Sequence, residues 1–395
     1  MADFWSGFSF LTEGVAYFFT ADGGWKNLIM WVIGGLLIYL AIKKDMEPSL
    51  LLPLGFGAIL VNIPYTGVMN QIMDMGGQPM PVTGLIEWLF QVGIEASEAM
   101  PLLLFVGIGA MIDFGPLLSN PKMLLFGGAA QFGIFFTITL AALLGFDLKD
   151  AASIGIIGAA DGPTSILVSQ IFQSSYIGAI AVAAYSYMAL VPIIQPLAIK
   201  AVTTKKERQI RMPYNPQSVS RTTRILFPVL VTVVAGLIAP ASVSLVGFLM
   251  FGNLLRECLK LDSLSQTAQT TLANLITIFL GLTISASMRA SEFVRKETLI
   301  IMALGLVAFI MDTVGGVLFA KLLNVFLPKD KKINPMVGGA GISAFPMTAR
   351  VIQKMALAED NQNHILMHAV GANVAGQIGS VIAGGIILNL IPGML

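Results

Sequence analysis

The chain has 395 residues, of which 56% are hydrophobic and 11% charged, and its mean hydropathy is +0.81. A soluble domain carries about 25% charged residues, so this supply cannot cover a water-exposed surface, and a polytopic membrane protein is the economical reading. The net charge of +1 excludes the basic field of a nucleic-acid binder. Cys258 is the one cysteine, so no internal disulfide forms.

Taken in chain order, residues 1–25 carry Asp3, Glu13 and Asp22 but neither Lys nor Arg. A signal peptide needs a basic start, so this stretch is expected to be retained at the outer interface. Spans of roughly 17–25 apolar residues follow at 26–43, 48–64, 83–114, 122–145 and 176–199. A second set falls at 222–239, 241–256, 268–288, 298–321 and 363–391. Two stretches, 150–172 and 332–357, are apolar but interrupted. The first breaks at Asp161-Gly162-Pro163, the second at Asn334-Pro335, at Gly338-Gly339-Ala340-Gly341 and before Pro346. No P-loop motif occurs, so transport energy must come from an ion gradient or a partner.

Positive charge sets the expected topology. The loop 200–224 holds Lys200, Lys205, Lys206, Arg208, Arg211, Arg221 and Arg224 and belongs in the cytoplasm, whereas 65–82 has no basic residue and belongs outside. Both conditions hold only if each interrupted stretch is a re-entrant hairpin. Most of the 23 Lys and Arg then face the cytoplasm, with Arg289, Arg295 and Lys296 as the exception. The expected fold is therefore an all-α polytopic membrane protein built as an inverted repeat of two halves. Each half has five transmembrane helices and one re-entrant broken-helix hairpin. The segments are 1–25, an interfacial stretch; 26–199, the first repeat; 200–221, a basic loop; and 222–395, the second repeat. Leu104-Phe105-Val106-Gly107-Ile108 echoes Ile278-Phe279-Leu280-Gly281-Leu282 across the halves. Inverted repeats with paired broken helices place an ion or substrate site near the midplane, where the hairpin tips meet.

Asp161 is a carboxylate at membrane depth, costly unless paired, protonated or bound to a cation. Thr164 and Ser165 add hydroxyls and Pro163 suits the start of a new half-helix, so a sodium site competes with a simple helix cap. In the second hairpin, Asn334 and Ser343 are neutral oxygen donors, and Gly338 permits close backbone approach. Arg350 either holds an anion near the second half-helix N-terminus or snorkels to the surface beside Lys354. Tyr187 lies near the middle of a span, where a phenol relays a proton or is merely packed. Asn373 lies among small residues in the last span, with a carbonyl available to an ion. Asp113, Glu95, Glu98 and Asp312 are weaker candidates. His364 and His368 have the spacing of a metal pair but lack a third ligand.

At these motifs the chain resembles the beta subunit of the sodium-translocating, biotin-dependent decarboxylases. The stretches are GIGAMIDFGPLLSNPK at 107–122, GIIGAADGPTSI at 155–166, GNLLRECLKLDSLSQTAQ at 252–269, NPMVGGAGISAFPMTARV at 334–351 and GANVAGQIGSVIAGG at 371–385. The resemblance implies a multi-pass subunit of the bacterial cytoplasmic membrane that decarboxylates carboxybiotin and exports Na⁺. It also implies partners: a carboxyltransferase alpha subunit that selects the acid, a separate biotin carrier, and a small membrane-anchored subunit, in an oligomeric complex. By position in the motifs, Asp161, Asn334 and Asn373 match the sodium-binding core, with Gly338 and Ser343 in the hairpin beside it. Tyr187 matches a proposed proton donor and Arg350 a functionally important Arg; with Ser343 they are the candidate catalytic residues, and Arg350 and Ser343 the candidates to hold carboxybiotin. The rival from another class is an ion-coupled secondary transporter of a small carboxylate, which the paired hairpins fit equally well.

Overall fold

The computed structural model describes residues 14–21, 23–44, 48–74, 79–96, 98–214, 218–328 and 331–394. Of the expected interfacial segment, residues 1–13 and 22 lie outside this set, and 14–20 are helical. The chain is an all-α membrane protein. Among the described residues six helices are long and apolar enough to span a bilayer: Trp25–Lys44, Pro121–Leu143, Arg221–Ile238, Asp262–Ser287, Lys296–Phe326 and Leu366–Gly393. Two further spans are bent, Leu85–Glu95 with Ala99–Met111 by 66° and Ile177–Met188 with Leu190–Val202 by 72°. Pro192 accounts for the second bend, because it has no N–H to donate to the Met188 carbonyl. The remaining two expected spans are present as the shorter helices Pro48–Val61 and Val243–Glu257, of 14 and 15 residues.

The chain divides into two compact units, residues 1–100 with 274–300, and residues 101–273 with 301–395. In the first, Asn62 ends helix Pro48–Val61 and ties it to a later loop. Its amide donates to the Ala58 and Met288 carbonyls at 2.8 Å each, and its oxygen accepts from the Ala290 N–H at 2.7 Å. The acidic, base-free stretch 65–82 contributes an antiparallel hairpin, Asn70–Asp74 with Pro79–Thr83, in the register Asn70↔Thr83 to Asp74↔Pro79. The hydropathy pattern does not show these strands.

The second unit is organised around helix Leu366–Leu390, whose small residues from Ala369 to Gly385 are almost all buried. Both interrupted stretches pack against it as broken helices. The first runs Leu148–Gly155, tightens to a 3₁₀ turn over Ile156–Ala159, and restarts as Gly162–Ile171. Ala160 occupies the left-handed region at φ 51°, ψ 44°, which reverses the chain and ends the descending arm. The second runs Met336–Gly339 and restarts as Met347–Glu359. Gly338 lies backbone to backbone against Gly316, and a Cβ on Gly338 would fall 2.0 Å from the Gly316 oxygen. No side chain fits there. Gly338→Ala is therefore expected to cost about 1–3 kcal/mol by overpacking, read as a lowered thermal unfolding midpoint of the purified protein. An unchanged midpoint would show that the two backbones separate freely.

Residues 203–214 form a strap across the ends of the second hairpin. Arg208 pairs with Glu359 at 2.6 Å, and Arg211 holds both Asp360 oxygens at 2.7 and 3.0 Å. Lys321 pairs with Glu207 at 3.1 Å. Asn334 donates to the Arg208 and Ile210 carbonyls at 2.8 and 2.9 Å, and Asn363 to Arg208 at 3.1 Å. Arg211 holds the Asp360 carboxyl below the usual carboxylate range. Desolvation opposes ionisation of Glu207, but hydrogen bonds from Thr204 and Lys321 outweigh it and lower its pKa. Lowered carboxyl pKa values make these contacts complete above the ordinary carboxylate pKa and lost only as pH falls through the lowered values. Strap amides should accordingly keep the same hydrogen-exchange protection from pH 8 to about pH 5. Asn334→Ala should increase their exchange about tenfold at any of these pH values, since it removes two hydrogen bonds at once.

Candidate ion and reaction site

The two hairpin tips meet directly. The Ser343 N–H of the second donates to the Ala159 carbonyl of the first at 3.0 Å. One residue beyond the left-handed Ala160, Asp161 adopts an extended conformation and caps helix Gly162–Ile171, with Pro163 in its first turn. Its Oδ1 accepts from the Thr164 N–H at 3.4 Å. Its Oδ2 accepts three hydroxyls, from Thr164 at 2.8 Å, Ser380 at 3.0 Å and Ser343 at 3.2 Å. The Ser343 and Ser380 oxygens are themselves 3.1 Å apart. Three separate elements thus focus oxygen atoms on one buried carboxylate. Among the described residues no basic side chain pairs with it. A buried carboxylate without a cationic partner, ringed by hydroxyls, is a hard-oxygen environment suited to a small monovalent cation.

Asn373 joins this arrangement from the last helix. Its amide donates to the Ile342 carbonyl at 2.7 Å, fastening the second tip, while its own oxygen is buried without a hydrogen-bond donor. Asn373, Gln377 and Ser380 follow the i, i+4, i+7 spacing of one helix face. Ser380 escaped the sequence reading, although its two-turn offset from Asn373 was the signal that could have found it.

The other candidates are placed differently. Asn334 makes its hydrogen bonds with the strap, and its oxygen accepts the Met336 N–H at 3.1 Å. Gly338 serves the backbone contact with Gly316. Tyr187 is buried and its hydroxyl donates to the Met302 carbonyl. The aromatic ring against the first tip belongs instead to Tyr185, which packs on Gly162. Arg350 is exposed in the first turn of Met347–Glu359, with Lys354 one turn on and also exposed.

Asp312 is a second fully buried carboxylate. Helix Pro121–Leu143 breaks at Gln131 and restarts at Phe132, and Asp312 Oδ1 accepts the Ile134 N–H of that new first turn at 3.0 Å. It therefore caps a half-helix from a neighbouring helix. Asp113 accepts the Gly115 N–H at 2.8 Å and lies 3.6 Å from Arg224. Glu95 ends the π-turn Gln91–Glu95, and Glu98 follows at φ 52°, together marking the 66° bend. His368 stacks edge-on to Tyr214 at 5.5 Å, against the strap. Among the described residues no group of three His, Cys, Asp or Glu is placed to hold a metal.

Comparison with known proteins separates the two functional readings. The family described as Na⁺-transporting oxaloacetate decarboxylase beta subunit matches residues 26–391. The methylmalonyl-CoA decarboxylase subunit beta of Propionigenium modestum is 47% identical over 378 residues, covering 92% of this chain and 94% of that protein. The glutaconyl-CoA decarboxylase subunit beta of Acidaminococcus fermentans is 46% identical over 369 residues, 93% and 94% of the two chains. The oxaloacetate decarboxylase beta chain of Klebsiella pneumoniae is 44% identical over 421 residues, 94% and 96% of the two. A secondary carboxylate transporter is not what these matches describe. The chain belongs to the family of Na⁺-transporting decarboxylase beta subunits, the membrane subunits of sodium-pumping decarboxylases.

Proposed function

We propose that this chain decarboxylates carboxybiotin presented by a partner carrier and uses that step to drive Na⁺ across the bacterial cytoplasmic membrane. The observation that carries the reading is the convergence of Thr164, Ser343 and Ser380 on Asp161 Oδ2. Na⁺ is the transported substrate. Asp161 supplies its countercharge, the three hydroxyls and the unpaired Asn373 oxygen supply neutral ligands, and Asn334 and Gly338 hold the second hairpin in place. A carboxyltransferase alpha subunit loads the carrier, and a small membrane-anchored subunit completes an oligomeric complex.

Loss of CO₂ from carboxybiotin breaks the N–C bond and leaves a nitrogen that takes up one proton. Tyr187 is assigned as the donor of that proton, and Arg350, exposed and without a partner among the described residues, as the cation that orients the carboxylate with Ser343. The two halves are read as an inverted repeat, 26–199 and 222–395, joined by the basic loop 200–221 on the cytoplasmic side. In its favour, a π-turn precedes each member of the Leu104–Ile108 and Ile278–Leu282 echo, at Gln91–Glu95 and Ala268–Leu272, although the first lies across the 66° bend.

The test is CO₂ release from a carboxybiotinylated carrier by the membrane complex, titrated with Na⁺ against a K⁺ control. Saturable stimulation specific to Na⁺ is expected, and equal rates in K⁺ would remove the coupling. Asp161→Asn keeps the cap acceptor but loses the countercharge, so Na⁺-stimulated turnover should fall about 100-fold or more. Ser380→Ala should raise the half-saturating Na⁺ about tenfold and leave the maximal rate nearly intact.

Tyr187→Phe separates chemistry from ion binding. It should lower the maximal rate about 100-fold at unchanged half-saturating Na⁺. Full activity in that variant would end the donor assignment while leaving the ion site standing.

A further inference from the structure

The first unit contains a polar cavity of about 340 Å³ that the transport chemistry does not use. Its walls include Tyr17, Lys26, Asn27, Asn70, Arg289 and Ser291. Arg289 is also one of the basic residues that the charge rule leaves on the wrong side, so its placement calls for a reason.

Arg289 is held between two fixed points. Asn62 bonds the carbonyl of Met288 on one side and the N–H of Ala290 on the other, at 2.8 and 2.7 Å. Asn27 in turn donates to the Asn62 carbonyl at 3.0 Å, locking the start of helix Trp25–Lys44 to the same corner. The guanidinium is only partly committed. One terminal nitrogen pairs with Glu87, while Nε is buried with no acceptor. Lys26 is half-buried and forms no ion pair among the described residues. Lys26 and the guanidinium that pairs with Glu87 make this wall of the cavity cationic. The N-terminal end of the 20-residue helix that carries Lys26 adds to it.

The surroundings indicate where this charge sits. Tyr17 lines the cavity and meets Tyr65 edge-on at 5.7 Å, and Trp25 beside Lys26 is 55% exposed. Tyr and Trp collect at the boundary between hydrocarbon and water. Cationic donors from two elements, with amide and hydroxyl groups between them, match a tetrahedral oxyanion, and the volume leaves room for what the anion is attached to.

We propose that this cavity binds a phosphate group, either the headgroup phosphate of an anionic phospholipid or inorganic phosphate. The exposed part of the Arg289 guanidinium and the Lys26 ammonium donate to its oxygens, with Asn70 and Ser291 completing the rim. The site lies wholly within the first unit and does not rest on the ion-site assignment.

The experiment uses the full chain, purified in detergent from membranes containing phosphatidylglycerol and examined by native mass spectrometry. Unfolding midpoints are measured in parallel with and without inorganic phosphate. Phosphatidylglycerol retained by the wild type, and about tenfold less by Lys26→Gln, identifies a lipid headgroup site. No retained lipid, but a midpoint raised by inorganic phosphate in the wild type and not in Lys26→Gln, identifies a free-phosphate site. Arg289→Lys keeps a cation for Glu87 but removes the planar guanidinium fork, and should weaken whichever ligand binds by a similar factor. Retention and midpoint shifts that are absent, or equal in wild type and both variants, overturn the proposal.

Discussion

The second unit depends on how one buried negative charge is compensated. Asp161 sits at the meeting point of two broken helices with no Lys or Arg beside it, so its stabilisation comes from hydroxyls and a helix N-terminus. That requirement explains the surrounding architecture. Left-handed Ala160 places the carboxylate one residue past the end of the descending arm, and Pro163 opens the next helix without wasting an amide. Ser343 reaches the same point because its own N–H is tied to Ala159, so one residue fixes both backbone and hydroxyl at the junction. Small residues along Leu366–Leu390 let both hairpins approach closely enough for Ser380 to join them.

Holding two short helices in the interior of a membrane protein also requires their free ends to be satisfied. The second hairpin solves this through the strap. Asn334 at its entry and Asn363 at its exit both donate to the Arg208 carbonyl, so one strap residue closes the base of the hairpin. Gln195 adds a bond to the Gly339 carbonyl at 2.8 Å, from the bent helix that also carries Tyr187. Gln195 thus ties the second hairpin to the Leu190–Val202 arm of the bent span whose other arm carries Tyr187, the proposed proton donor.

Much of this was legible in the sequence, for identifiable reasons. Apolar length located the long helices, and the Gly and Pro clusters located both hairpins, because breaks at membrane depth must be buried against protein. Asp161 stood out because an intramembrane carboxylate is rare. Ser380 did not stand out, since a serine in a small-residue stretch reads as packing until the opposing carboxylate is in place. The strap contacts of Asn334 were hidden for a related reason: its partners are backbone carbonyls of Arg208 and Ile210, more than a hundred residues earlier, and carbonyls carry no sequence signal. The hairpin Asn70–Asp74 with Pro79–Thr83 was hidden because Met, Asn and Pro give no period-two pattern.

The chemistry of the hydroxyl group bears on how such a site could load and release an ion. A serine or threonine hydroxyl is a donor through its hydrogen and an acceptor through its lone pairs, and rotation about one bond exchanges the two roles. In the structure, Thr164, Ser343 and Ser380 donate to Asp161 Oδ2 and spread its charge. In the proposed cycle an arriving Na⁺ takes over as the countercharge, and the same oxygens turn their lone pairs toward it without a shift of backbone. The carboxylate is compensated in both states. What the ion then changes is the link between elements, since the three hydroxyls come from the first hairpin, the second hairpin and the last helix. Hydroxyls that donated across these elements become co-ligands of one ion. In that proposed cycle, release of the ion is tied to the relative position of the two tips, the coordinate through which decarboxylation would drive transport.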